Sequence, residues 1–327
     1  MKLLVAVICA LAGLAVATVV TPYQGFQTET FVEIPRGTGT RAIAQELTKD
    51  GVIRYSWEFE LLRLLQPSSK LQAGEYRFAK PASALAVFNR IARGDIYFVE
   101  FTVPEGSNIF DIAKSLEADG VMSAEDFLAA AEDPSLIRDL SPQAKTLEGY
   151  LFPSTYRLSH TATPARLTKI MTDEFRKQWS KLTATHPADA RGAVTLASLV
   201  EKETASPAER PVVASVFRNR LAQGMRLQCD PTAIYAALLE NRYRGTIHKS
   251  DLASANPYNT YENAGLPPGP IANPSAESLR AALEPADTPF LYFVAKPAGG
   301  GHQFSTTIAQ HEKAVIAYRH ATQRKIR

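Results

Sequence analysis

One stretch of this chain is written twice. Phe31-Val32-Glu33-Ile34-Pro35-Arg36-Gly37, running on to Asp50-Gly51-Val52-Ile53, returns 69 residues later as Val103-Pro104-Glu105-Gly106, running on to Asp119-Gly120-Val121-Met122. Pro35/Pro104, Gly37/Gly106, Ile43/Ile112, Ala44/Ala113, Leu47/Leu116, Asp50/Asp119, Gly51/Gly120 and Val52/Val121 are identical pairs. Each copy reads as a strand, a Pro-x-Gly turn and a helix capped by Thr38 or Ser107. Ile43, Ala44 and Leu47 fall on one helical face, and the Asp-Gly supplies a left-handed stop. Such a unit cannot bury its apolar face alone, so each copy needs partner elements.

The partners of the first copy are readable nearby. A helical pattern covers residues 57–65, a strand 74–78 and a further helix 82–93, making residues 30–97 a small α+β module. Residues 96–102 (Ile-Tyr-Phe-Val-Glu-Phe-Thr) are strand-like, and the second copy opens or bridges to a larger domain, 98–327. Helical patterns follow over 124–140, 163–183, 189–204, 212–223 and 231–241. After Gly245 the chain is rich in Pro, Asn, Tyr and Gly to about residue 275, and long ordered loops of this kind are usually functional. A βα unit, with a strand at 290–295 and a helix at 308–321, closes the domain. The expected fold is α+β: an N-terminal membrane helix, a small module, and a larger mixed α/β domain.

Residues 3–20 are apolar or small and carry no charge. As a helix these residues span about 27 Å, enough to cross a bilayer. The only charge beside them is on the Met1–Lys2 side, and the next basic residue is Arg36, which predicts a cytoplasmic N-terminus and an exported body. Residues 1–22 are therefore read as an anchor. The competing reading is a cleaved signal, because Ala15-Val16-Ala17 has the A-x-A form. A net charge of +3, with no Arg/Lys block interleaved with aromatics, argues against nucleic acid as a partner. Of the two cysteines, Cys9 lies in the apolar run, so Cys229 has no partner for a disulfide or a thiolate metal cluster.

Chemistry is most concentrated at Ala197-Ser198-Leu199-Val200-Glu201-Lys202-Glu203-Thr204. A carboxyl at the end of an apolar helix has its charged form penalised by burial, which suits a general acid near neutral pH. Downstream lie Gln228-Cys229-Asp230-Pro231-Thr232, Asn256-Pro257-Tyr258-Asn259-Thr260-Tyr261 and Gly265-Leu266-Pro267-Pro268-Gly269-Pro270-Ile271, and upstream Leu147-Glu148-Gly149-Tyr150-Leu151-Phe152-Pro153. Rings with neighbouring amides and hydroxyls are what a carbohydrate site needs. The alternative for Asp230-Pro231-Thr232 is a helix N-cap followed by Pro, and for Tyr258 and Tyr261 it is loop packing. His302, His311 and Glu312 lack the i, i+4 spacing of a zinc helix, so no metal is expected, and no phosphate loop or other cofactor motif is present.

Taken in order, these motifs, with Asn219-Arg220-Leu221, Gly224-Met225 and Leu291-Tyr292-Phe293-Val294-Ala295, resemble the endolytic murein transglycosylase (MltG/YceG-like) family. The resemblance runs from the anchor to about residue 320. It implies a single-pass protein of the bacterial cytoplasmic (inner) membrane, with its catalytic domain outside and a LysM-like module at 30–97. It also implies lytic transglycosylase activity: non-hydrolytic cleavage of the MurNAc-GlcNAc bond, leaving 1,6-anhydroMurNAc ends and terminating or trimming nascent strands during elongation. Peptidoglycan strands are the implied substrate, and cell-wall synthases (penicillin-binding proteins) are possible partners. Cys229 stands where the family usually has Thr or Ser.

The resemblance carries the catalytic glutamate onto Glu201, with Glu203 in support. Gln228, Asp230, Tyr258, Asn259, Tyr261, Glu148 and Tyr150 become the candidate substrate-binding residues. On the residues alone the two glutamates are less easily separated. Side chains two apart on a helix point about 200° from each other, so both cannot face one bond. Glu203 continues the Leu196-Leu199-Val200 face, which could bury it. Glu201 continues Val194-Ala197-Ser198, whose small side chains leave room for a sugar.

Overall fold

The computed structural model describes residues 2–184, 188–297 and 299–325; Met1, at the head of the expected anchor, lies outside them. The chain divides into two units, residues 1–99 with 157–160, and residues 100–156 with 161–327.

The first unit begins with α1 (Lys2–Val20), whose large apolar side chains from Leu3 to Val16 are exposed. Leaving a Leu or Val side chain in water forgoes about 1.5–3 kcal/mol of burial, so a row of them demands a lipid or protein environment. The last turn is different: Val19 belongs to the core of the unit it precedes. Tyr23 and Ala82 then exchange backbone hydrogen bonds of 3.0 and 3.1 Å, fixing the chain as it leaves the helix.

The rest of the unit is β1 (Thr30–Ile34), α2 (Thr40–Lys49), α3 (Ser56–Leu65), β2 (Gly74–Phe78) and α4 (Ala84–Arg93). The strands pair antiparallel, from Thr30 opposite Phe78 to Ile34 opposite Gly74. Val32 and Ile34 point inward while Glu33 points out, the period of two that a half-buried strand requires. They meet Ile43, Ala44 and Leu47 of α2, Phe59 of α3, and Phe88 and Ile91 of α4 in one core.

The second unit is mostly helical: α5 (Ile109–Ala118), α6 (Ala124–Ala131), α7 (Pro164–Leu182), α8 (Ala190–Glu203), α9 (Arg210–Ala222), α10 (Asp230–Leu239), the short α11 (Lys249–Leu252), α12 (Ala276–Leu283) and α13 (Ile308–Lys325). Its strand content is small. β3 (Val99–Thr102) pairs with β4 (Thr155–Leu158), and β5 (Tyr292–Ala295) pairs antiparallel with β6 (His302–Ser305). The mixed α/β domain expected from sequence is thus α+β, with two-stranded sheets only among the described residues. The closing unit is a hairpin followed by a helix, because His302–Ser305 adds a second strand.

Both repeats form the expected strand-turn-helix, and both helices stop at Gly51 and Gly120 with φ of 70° and 67°. The caps lie one residue later than read from sequence. Gly39 occupies the N-cap of α2, while Thr38 Oγ1 closes the turn by donating to the Pro35 carbonyl at 2.8 Å. Asn108 caps α5, accepting from Asp111 N at 2.8 Å, and Asp111 reciprocates on Asn108 N at 3.2 Å.

α8 is the axis of this unit. Asp189 caps it by accepting from the amides of Arg191 and Gly192 at 3.2 and 3.0 Å. Val194 through Val200 are all buried, against α9, α10 and α12. Thr204 leaves the helix in an extended conformation, and Pro207 prevents its continuation. Glu201 and Glu203 are therefore delivered at the end of a buried rod.

Candidate active site

The two glutamates at the end of α8 have opposite surroundings. Glu201 Oε1 accepts from Arg210 Nη2 at 3.0 Å, and Glu201 Oε2 accepts from Ser275 N at 2.8 Å and Ser275 Oγ at 2.6 Å. Both charged side chains are nearly buried, at 5% and 6% exposed. Every oxygen is occupied and the charge is matched, so this carboxylate is held in a fixed pose. The small residues Val194, Ala197 and Ser198 do make room, as sequence suggested, but the segment ending in Asn273 and Ser275 fills it. Ser198 Oγ accepts from Ile271 N at 3.1 Å.

Glu203 faces a cleft of about 510 Å³ lined also by Arg220, Gln228, Asp230, Tyr261 and Phe293. Its carboxyl group is hydrogen-bonded to the Cys229 thiol. Burial raises its pKa, the Asp230 charge adds to the rise, and the Cys229 hydrogen bond with His302 and Arg220 only partly opposes it. That is the environment of a carboxyl group that keeps its proton above the usual carboxyl range.

The loop beneath this cleft is tightly held. Gln228 has φ of 52°, a left-handed conformation uncommon for a residue with a Cβ. Arg220 secures it by donating to the carbonyls of Leu227 at 2.8 Å and Leu291 at 2.7 Å, with its guanidinium 5.0 Å from the Tyr292 ring centroid. Thr260 Oγ1 accepts from Cys229 N at 3.0 Å and lies 2.8 Å from Thr232 Oγ1, riveting the 228–232 segment to the tyrosine loop. Asp230 is the first residue of α10 and not its cap, which is Cys229. Its carboxylate instead takes the Tyr261 hydroxyl, and burial with this contact pushes the Tyr261 phenol upward.

The remaining candidates lie elsewhere. Glu148, Tyr150 and Tyr258 line a separate cleft of about 240 Å³. Glu148 Oε2 accepts from Ile109 N at 3.0 Å and the Tyr235 hydroxyl at 2.9 Å, and its Oε1 accepts from Asn273 Nδ2 at 3.1 Å. Burial outweighs these donors and pushes the Glu148 pKa up to about 8. Asn259 is fully buried, and its Nδ2 ties down the carbonyls of Leu252 at 2.9 Å and Ser254 at 2.7 Å. It works as a loop clamp with no surface left for a sugar.

His302 donates its backbone N–H to Glu209 at 2.7 Å and sets Nδ1 2.8 Å from the same carboxylate. No cluster of His, Cys, Asp and Glu suited to a metal occurs among the described residues. Sequence reasoning missed Arg210 and Ser275, the partners of Glu201, and the bracing role of Arg220. Arg220 stood in a quoted motif, but nothing local indicated which carbonyls it would reach.

Comparison with known proteins agrees with this architecture. The model of a family described as YceG-like matches residues 32–317. An endolytic murein transglycosylase of Bacillus subtilis (strain 168) is 34% identical over 306 residues, covering 88% of this chain and 84% of the relative. Another, from Streptococcus pneumoniae serotype 2, is 30% identical over 318 residues, covering 88% of this chain but 58% of the longer relative. A crystal structure of a YceG-like protein from Listeria monocytogenes is similar at a TM-score of 0.58 and 30% identity, covering 87% of this chain and 98% of that one. With the family match extending from β1 into α13, the chain belongs to the YceG-like family.

Proposed function

We propose that this protein is a membrane-anchored endolytic peptidoglycan transglycosylase in which Glu203 is the acid/base. The observation that carries the assignment is the contrast at the end of α8. Glu203 opens into a cleft with a raised pKa, whereas Glu201 is locked to Arg210 and Ser275. The roles expected from sequence are thereby exchanged: Glu201 positions, and Glu203 reacts.

In this mechanism protonated Glu203 donates to the oxygen linking MurNAc to GlcNAc, and that C–O bond breaks. The oxocarbenium-like centre at C1 is stabilised with help from the 2-acetamido group. Glu203, now ionised, takes the proton from the MurNAc C6 hydroxyl, whose oxygen bonds to C1 and closes the 1,6-anhydro ring. One carboxyl group serves both steps because no water attacks, unlike the paired carboxyl groups of ordinary glycosidases. Gln228, Asp230 and Tyr261 border the same cleft and orient the sugars.

α1 supports an anchor reading, with a cleaved signal as the alternative, through its length and the exposure of its apolar side chains. The β-α-α-β order of residues 30–78, with its two strands paired antiparallel, supports a LysM-like wall-binding role for the first unit. Within this reading the protein trims or terminates nascent strands beside cell-wall synthases. Mass spectrometry of products from intact peptidoglycan tests the reaction: anhydro-ended fragments are expected from the native chain and none from Glu203→Gln. Reducing MurNAc ends in their place overturn the transglycosylase reading.

A further inference from the structure

The second cleft of the larger unit carries a feature that the reaction at Glu203 does not use. At its floor lie the Ser141 hydroxyl and the Tyr150 phenol, each on a residue 1% exposed. They face each other within hydrogen-bonding reach, and neither closes a hydrogen bond to any other described protein group. Each hydroxyl has a donor and two acceptor sites, so a pair with only each other at the bottom of an open cleft keeps hydrogen-bonding capacity for a ligand.

The rim has a definite charge. Arg191 and Lys145 border the cleft, and no carboxylate lies within ion-pair distance of either among the described residues. The carboxylate of Asp189 is engaged in capping α8. Arg191 is held in place by donating to Gln143 Oε1 and, at 2.7 Å, to the Pro268 carbonyl, so its cation is oriented but not neutralised. Tyr258 adds an aromatic wall, itself braced by Tyr235 at a centroid distance of 5.1 Å. A volume of about 240 Å³ falls below the usual 300–1,000 Å³ of drug-sized sites, which limits the occupant to one ring or a dipeptide end.

We propose that this cleft is a second ligand site, taking a small polar group that bears a carboxylate, with Arg191 on the carboxylate and Tyr150 and Ser141 on its neutral polar end. The proposal rests on the peptidoglycan reading for the source of that group, which is either a sugar acid or the free end of a short peptide on the strand. Arg191 and Glu203 are twelve residues apart on α8, about 18 Å along the helix axis. The two sites are therefore too far apart for a single ring to touch both. A strand gripped here would be registered before it is cut.

Saturation-transfer NMR and calorimetric titration of the full chain in detergent test the proposal with three probes. They are N-acetylmuramic acid, N-acetyl-D-alanyl-D-alanine and the uncharged N-acetylglucosamine. At least one acid is expected to bind, and at least tenfold more tightly than N-acetylglucosamine; which acid binds identifies the sugar or the peptide as the source. Arg191→Gln should weaken that binding at least tenfold and Tyr150→Phe several-fold, with folding checked by thermal melts, while Glu203→Gln leaves it within twofold. Absence of binding by both acids, equal binding of N-acetylglucosamine, or binding unmoved by Arg191→Gln overturns the proposal. So does binding lost with Glu203→Gln, because it places the ligand in the other cleft. The function itself is read separately: it fails if Glu203→Gln still releases anhydro ends, whatever the titrations give.

Discussion

Arg210 Nη2 sits 3.0 Å from Glu201 Oε1, and this ion pair closes over Ser275 at the base of α12. Arg210 Nη1 donates to the same Ser275 Oγ at 3.1 Å, so α8, α9 and the start of α12 share one buried polar knot. Helix ends leave backbone groups unsatisfied, and here those of α12 are tied into the charge network of another helix.

The knot and the cleft should separate in mutagenesis. Glu203→Gln is expected to lower kcat by 10²-fold or more, the usual scale of a lost general acid, with little change in thermal stability. Glu201→Gln leaves Arg210, in a nearly dry site, with only the half-exposed Glu105 at 3.6 Å as counter-charge and should cost about 3 kcal/mol in denaturant unfolding. Full activity in Glu203→Gln would falsify the assignment.

The Cys229 thiol, which donates to Glu203, gives a handle on pH. Serine at this position is a stronger donor to a carboxylate, so Cys229→Ser should lower the Glu203 pKa. Asp230→Asn should lower it too, by removing a like charge. Because the protonated acid is the reactive form, the basic limb of the kcat/KM profile should move to lower pH in both, by about half to one unit. A basic limb that stays in place in both variants argues against Glu203 as the titrating group.

Glu148 predicts a dependence of stability on pH. Its pKa is raised from 4.5 to about 8 by burial, so the folded state holds a proton that the unfolded state has released over that window. Stability from this group is full below about pH 4.5 and is lost at about 1.4 kcal/mol per unit as pH rises towards 8. In Glu148→Gln that component of the slope should vanish. Urea unfolding from pH 5 to 8 checks it, and an unchanged slope locates the effect in another residue.

Asn273 joins distant segments with every polar atom it has. Its Nδ2 donates to Ser107 O at 2.9 Å and Glu148 Oε1 at 3.1 Å, while Oδ1 accepts from Leu151 N at 2.9 Å. Asn273→Ala strands several buried groups and should cost about 3 kcal/mol. Gly149→Ala should be at least as damaging. Gly149 has φ of 86°, and a methyl there would collide with Cγ and Cβ of the rigid Pro270 ring. Thermal melts of the two variants rank them.

Sequence pattern reached the elements whose burial is periodic and local. The two repeats, the 74–78 strand and the helices around α8 all have an apolar face visible within a few residues, and they form within one or two residues of the expected bounds. β6 escaped because His302-Gln303-Phe304-Ser305 is short and polar, and it is a strand only through its pairing with β5. The contrasting surroundings of the two glutamates escaped for a deeper reason. Small residues at 194, 197 and 198 announce that something approaches that face of α8, but not what. The occupant is backbone from some seventy residues further on, and a helical wheel cannot contain it. Likewise, the seven polar residues that read as one carbohydrate site divide between two clefts and a buried clamp, a partition set by tertiary packing alone.

The burial of Val19 in the core of the first unit has a mechanical meaning. A helix joined to a domain by a free linker can swivel, and the domain then drifts over a wide arc. Here α1 packs against α3 and α4, with Val19 in their core, and Tyr23 is latched to Ala82 three residues beyond its end. The first helix is a shaft and not a tether: any tilt or roll of it turns the whole β-α-α-β layer by the same angle.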